Sequence, residues 1–111
     1  MQYSFKKSTV SKVTFLEVVS PEPILERFDS HDWTTSKAQE IIDGVKASKN
    51  GERYEWGNED VQLASFAEGV FFFDLLARRA DKTRKGPDLQ LTHEAFIAFM
   101  EDLKKFIEKN T

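Results

Sequence analysis

Apolar side chains recur along this chain with two different periods, and the change from one period to the other marks out its elements. Between residues 54 and 77, Tyr54 and Trp56 alternate with polar neighbours and Gly57-Asn58 breaks the pattern. Val61 and Leu63 resume the alternation, Glu68-Gly69 breaks it again, and Val70 to Leu76 is apolar except for Asp74. A period of two interrupted by turn residues predicts a three-stranded antiparallel meander over 52–77. The third strand must sit centrally or be covered on both faces, because six apolar side chains split over two faces cannot all meet water cheaply.

Elsewhere the period lengthens to three and four. Ala38, Ile41, Ile42 and Val45 fall on one stripe and predict a helix over 36–48, with Thr34, Thr35 and Ser36 as candidate N-caps and Asn50-Gly51 as its stop. Gly44 inside it weakens the helix by about 1 kcal/mol relative to Ala, so the helix is expected to depend on packing against the sheet. Phe96, Phe99, Met100, Leu103, Phe106 and Ile107 predict a second helix over 93–109, capped by Thr92. Glu94 in its first turn and Lys104, Lys105 and Lys109 toward its end complement the helix dipole. Such a helix is about 24 Å long, enough to cross five strands, and is expected to lie across the meander, Phe against Phe.

The remaining segments are shorter. Tyr3 and Phe5 alternate with polar residues, and Val13, Phe15 and Val18 form a second run after Ser8-Thr9, so residues 2–19 form a hairpin or one long bent strand. Ser20-Pro21-Glu22-Pro23 ends that segment and can open a short helix carrying Ile24, Leu25 and Phe28. Trp33 follows a loop over 29–32 as an apolar anchor, 75–80 can extend the third meander strand into a helical turn, and Leu89-Gln90-Leu91 adds a short strand. The fold class expected is α+β: one domain over 1–111, with an antiparallel sheet of about five strands and helices packed on one face.

At 111 residues the chain can bury a single core, and ten Phe make that core heavy. No cysteine is present, which excludes disulfides and thiolate metal sites and suits a reducing compartment. No stretch approaches the ~20 apolar residues of a membrane span, and the start has no apolar run of signal-peptide length, so a cytoplasmic protein without a membrane partner is expected.

The net charge of −3 hides a division along the chain. Residues 1–16 hold three lysines and no acid, residues 17–74 hold thirteen acids against five bases, and residues 75–111 hold eight bases against six acids. Acid is concentrated mid-chain, the opposite emphasis from a nucleic-acid binder.

No residues assemble a catalytic or cofactor motif. Asp29-Ser30-His31-Asp32 has hydrolase residue types, but adjacency in sequence seldom makes a nucleophile and base meet in space, and it reads as an exposed turn. His93, beside the Thr92 cap, reads as an exposed first-turn residue. Two distant histidines and no calcium-loop spacing predict no metal, and the glycines form no phosphate-binding pattern, so no cofactor or small-molecule substrate is expected. Asp74 interrupts a buried strand and is either paired with Arg78 or Arg79 near the strand end or a functional acid in a pocket. Arg78, Arg79, Lys82, Arg84 and Lys85 form a basic loop over 78–85 that could meet phosphate, but no aromatic is interleaved to stack on bases. Glu52, Glu55, Glu59 and Asp60 surround Tyr54 and Trp56, and acid beside large aromatics is one way to capture a basic protein, with charge steering the encounter and aromatics anchoring it.

A small acidic α+β domain without catalytic apparatus resembles the immunity proteins of bacterial toxin systems, those of contact-dependent growth inhibition above all, in size, charge and layout. The opening Tyr3-x-Phe5 and the closing aromatic helix stripe over 96–107 are similar to those of other small bacterial proteins. The immunity resemblance implies a non-enzymatic inhibitor that binds a basic toxin nuclease in the producer's cytoplasm. The partner-binding residues expected are Glu52, Tyr54, Glu55, Trp56, Glu59 and Asp60. The competing expectation is a regulatory or scaffold module that binds a host protein or RNA through the loop over 78–85.

Overall fold

The structure is a computed structural model that describes residues 2–30 and 32–110. The chain forms an α+β fold. Strands β1 (Ser4–Val10) and β2 (Val13–Val19) make a hairpin, and a 3₁₀ helix (Pro23–Phe28) and helix α1 (Thr35–Ser48) follow. Strands β3 (Tyr54–Gly57), β4 (Val61–Phe66) and β5 (Gly69–Asp74) form the meander, and helix α2 (Leu75–Ala80), strand β6 (Leu89–Leu91) and helix α3 (His93–Lys109) complete the chain.

The six strands divide into two antiparallel sheets rather than one of about five. One is the β1-β2 hairpin and the other has the order β3-β4-β5-β6. The hairpin turns at Ser11 and Lys12, both with positive φ (51° and 69°), which suits the twist of a two-residue hairpin loop but lacks the glycine or asparagine that usually signals one. Its buried face on β2 is Leu16 and Val18, while Val13 is exposed. Val13 and Phe15 therefore lie on the face opposite Val18, because side chains alternate along a strand.

Asp74 ends β5 two residues earlier than the apolar run suggests. Its carboxylate accepts the Ala77 N–H and caps α2, so Leu75 and Leu76 continue as helix instead of strand. Of the three cap candidates for α1, Thr34 caps it by accepting from the Lys37 N–H, and Thr92, the cap expected for α3, accepts from the Ala95 N–H.

Both long helices cover the same face of the four-stranded sheet. Ser48 at the end of α1 hydrogen-bonds Ser65 of β4, Oγ to Oγ, at 2.6 Å, and Phe96 of α3 meets Phe72 of β5 edge-on at 5.2 Å. The helices run antiparallel, since Lys49 pairs with Glu94 at one end and Lys104 donates to Gln39 at the other. The C-terminal half of α3 turns to the hairpin instead of the meander. Tyr3 stacks edge-on against Phe99 at 4.9 Å and donates to Asp102 Oδ2 at 2.5 Å, and Phe5 packs on Phe99 and Phe106. Neither long helix covers the other face of the sheet. There Phe66, Phe71 and Phe73 are half-buried, with the Arg53 guanidinium over Phe66 and that of Arg78 over Phe73.

Phe28, the last residue of the 3₁₀ helix, is fully buried where these layers meet, in ring contact with Trp33, Trp56, Phe72, Phe96 and Phe99. Truncating a buried Phe to Ala typically costs about 3–5 kcal/mol of a total near 5–15 kcal/mol. Phe28→Ala and Phe99→Ala should each lose that much in denaturant melts, and half-buried Phe106→Ala clearly less. Equal losses for all three would mean the core does not centre on Phe28.

Burial, and then the Asp102 carboxylate, push the Tyr3 phenol from 10.0 up to about 12. The folded state holds that proton more tightly than the unfolded chain, so this contribution to stability is complete below pH 10.0 and fades as pH rises toward about 12. Tyr3→Phe should flatten that alkaline decline in stability measured against pH; an unchanged slope would show that Tyr3 is not its source.

Candidate functional site

The expected partner-binding residues lie on and around β3, an edge strand of the four-stranded sheet. Alternation sends Tyr54 and Trp56 to the helix-covered face and Glu55 to the other. The Tyr54 ring lies on α1 at Gly44, where a Cβ would overlap it. Burial first, and then the Glu40 carboxylate, raise the Tyr54 phenol above its ordinary 10.0. Trp56 stacks on Phe28 at 5.5 Å and on Trp33 at 5.6 Å, and the Trp33 indole N–H donates to the Phe28 carbonyl at 2.6 Å. Tyr54 and Trp56 are thus half-buried members of the core margin rather than projecting anchors.

The four carboxylates do not form one patch. Glu55 pairs with Arg53 at 2.5 Å on the face opposite Trp56. Asp60 pairs with Arg79 at 2.8 Å, and the Glu59 carbonyl accepts from the same guanidinium. The turn is held from inside by Asn58, whose Oδ1 accepts the Asp60 and Val61 N–H groups and whose amide donates to the Arg27 carbonyl. Glu52 and Glu59 are exposed, with no ion pair among the described residues.

A groove of about 320 Å³ opens beside Trp56, on the side away from Glu55. It runs between the start of α1 and the β3–β4 turn and is lined by Asp32, Trp33, Lys37, Glu40 and Trp56 among others. The sequence marks Trp33 as an apolar anchor, but carries no signal that it would meet Lys37, Glu40 and Trp56 around one groove. A second cleft of about 180 Å³ lies on the other side of Trp33, between β2 and the end of α3.

The other candidates resolve into structural roles or fall outside the description. Asp74 is buried near its strand end, but its partner is Arg27, at 3.3 Å, not Arg78 or Arg79. Both of those arginines are committed elsewhere, Arg79 to Asp60 and Arg78 to Asp88 and the carbonyls of Arg84 and Gly86. The Arg78 Nε is enclosed without a hydrogen-bond partner. His93 is buried rather than exposed, with Nε2 2.6 Å from the Phe66 carbonyl, so it ties α3 to the β4–β5 turn. His31 lies outside the described residues. Among the described residues, no three His, Cys, Asp or Glu side chains converge as metal ligands would, and no helix is long and apolar enough to cross a membrane.

The basic loop is organised around Asp88. Its backbone N–H donates to the Phe72 carbonyl at 2.8 Å. Its carboxylate accepts from the Asp74 N–H, from Arg84 and from Arg78. Burial alone would push the Asp88 carboxyl up, but the Asp74 N–H, the Arg84 bond and the Arg84 and Arg78 charges outweigh it and hold the group below 3.8. Of the basic residues of this loop, only Lys82 and Lys85 have no ion pair among the described residues. Comparison with protein-family models, curated proteins and solved structures found no match to this chain.

A depressed folded-state pKa contributes stability that is present above 3.8 and lost as pH falls below it through the folded value. Asp88→Asn should therefore lower stability at neutral pH and shrink the loss on acidification, with hydrogen exchange rising over 81–87. Unchanged exchange in that variant would show that Asp88 does not organise the loop.

Proposed function

We propose that this protein is a small binding protein whose partner is a basic protein domain, and that it acts as an immunity-type inhibitor of a toxin nuclease. The observation that carries this reading is the acid at the β3 edge: Glu52 and Glu59 are exposed and uncompensated on either side of a strand whose aromatic face borders the Trp33–Trp56 groove. Charge of this kind speeds the encounter with a positive partner, while half-exposed aromatics supply contact area once the two meet. Glu55 and Asp60 contribute less to the field because Arg53 and Arg79 neutralise them locally. A toxin nuclease must hold phosphate and presents basic surface, which matches this edge. The competing reading, capture of a host protein or RNA by the loop over 78–85, has less support because Arg78, Arg79 and Arg84 already bind groups of the protein itself.

The test uses the protein encoded by the adjacent gene. Co-expression should give a stoichiometric complex and relieve toxicity. The double variant Glu52→Lys/Glu59→Lys should then associate about tenfold more slowly at low salt, with the gap closing as salt is raised. Absence of a complex would sink the immunity reading, and an unchanged association rate in a folded variant would remove the β3 edge from the interface.

A further inference from the structure

We infer that the groove between α1 and the β3–β4 turn is a receptor for an arginine side chain presented by a protein partner. Its wall is aromatic, since Trp33 and Trp56 lie stacked at 5.6 Å and 24° along it. Its volume of about 320 Å³ falls at the lower end of the range typical of ligand pockets, roughly 300–1,000 Å³. Two carboxylates face it, and they stand in different states. Asp32 is engaged by Lys37, whose ammonium donates to its Oδ2 and to its carbonyl, both at 3.0 Å. Glu40, one turn further along α1, has no ion pair or hydrogen bond among the described residues, and its charge is felt at the Tyr54 phenol.

The groove therefore already seats one cation at its Asp32 end and offers an unmatched carboxylate at its Glu40 end. A guanidinium suits the vacancy better than an ammonium. Its plane can lie on an indole face while its N–H fork meets a carboxylate, and it is more weakly hydrated, so entering a half-buried groove costs it less. Lys37 sets the limit on affinity, because its positive charge stands in the same groove and repels the incoming cation. This inference rests on the basic-partner reading for the identity of the natural ligand, but the groove can be tested without any partner protein.

The chain has two tryptophans, Trp33 and Trp56, and both line the groove, so tryptophan emission reads binding there; Trp33 also borders the second cleft, and the Glu40→Gln comparison separates the two. The probe is a capped Gly-Arg-Gly-Arg-Gly peptide, compared with the same peptide carrying citrulline, which is neutral and of the same shape, and with its lysine counterpart. Saturable change in emission is expected with the arginine peptide, weaker binding with lysine, and none with citrulline. Glu40→Gln should weaken arginine-peptide binding by about fivefold and Lys37→Gln should tighten it by about twofold to fivefold, while Glu59→Gln, outside the groove, should leave it unchanged. All three substitutions are at exposed positions, and circular dichroism checks that each variant is folded. Equal responses to arginine and citrulline, no saturable response at millimolar peptide, or equal effects of Glu40→Gln and Glu59→Gln would each overturn the inference. A positive titration without any complex with the adjacent gene's product would leave the groove standing and remove the immunity reading.

Discussion

Phe28 has no exposed surface, and its ring touches side chains from four separated parts of the chain: Trp33, Trp56, Phe72, and the pair Phe96 and Phe99. The hairpin and the four-stranded sheet share no ladder, and among the described residues no backbone hydrogen bond joins them. The 3₁₀ helix fills the space between them, with Ile24, Leu25 and Phe28 all buried. Its exit is fastened to β2 by paired Leu16–Ser30 backbone bonds and by Asp29, whose Oδ1 accepts the Val18 N–H at 2.7 Å. Removing this wedge would expose apolar surface on the sheet, on the hairpin and on α3 together, which is why one aromatic contact network governs the whole arrangement.

The same network sets the character of the candidate site. Trp56 and Trp33 are held by Phe28 from the inside, so their outer surfaces form a fixed wall rather than mobile anchors. Rigid aromatic surface loses little entropy on contact with a partner. Charge around that wall is distributed unevenly. Arginine has been drawn into structural service at Asp60, Asp74 and Asp88, where it holds the β3–β4 turn, the end of β5 and the basic loop, while Glu40, Glu52 and Glu59 are left to the solvent. Glu40 beside the groove, and Glu52 and Glu59 flanking β3, therefore carry charge that no ion pair offsets among the described residues. This follows from where the arginines are spent as much as from where the acids lie.

Several elements were legible because local chemistry decides them. The stripe of α3, the Thr92 cap, the three meander strands and the short β6 follow from periodicity and turn residues that act within a few positions, while the choice of Thr34 among three cap candidates does not. Where reading failed, a longer-range contact had intervened. Beside the Thr92 cap His93 reads as an exposed first-turn residue, yet it is buried and bonded to the Phe66 carbonyl. Asp74 was placed correctly at a strand end, but the sequence favoured the nearby Arg78 or Arg79 over Arg27, which lies 47 positions away. The acidic residues around β3 were identifiable as a group, whereas their division between two faces and their partial neutralisation by Arg53 and Arg79 were not.

By itself, then, the sequence determined the α+β class, the meander and the two long helices, since hydrophobic period and capping are written into neighbouring residues. Tertiary structure decided how those pieces divide and meet. Two sheets form instead of one because β2 takes Ser30 as its second neighbour and leaves the meander edge free. Gly44 illustrates the difference: in isolation it only weakens α1, but in the fold its missing side chain is the space occupied by the Tyr54 ring. The groove likewise needs Trp33, Glu40 and Trp56 from three elements at once. No local signal encodes that meeting, because it is fixed by the packing of rings around Phe28 rather than by any period along the chain.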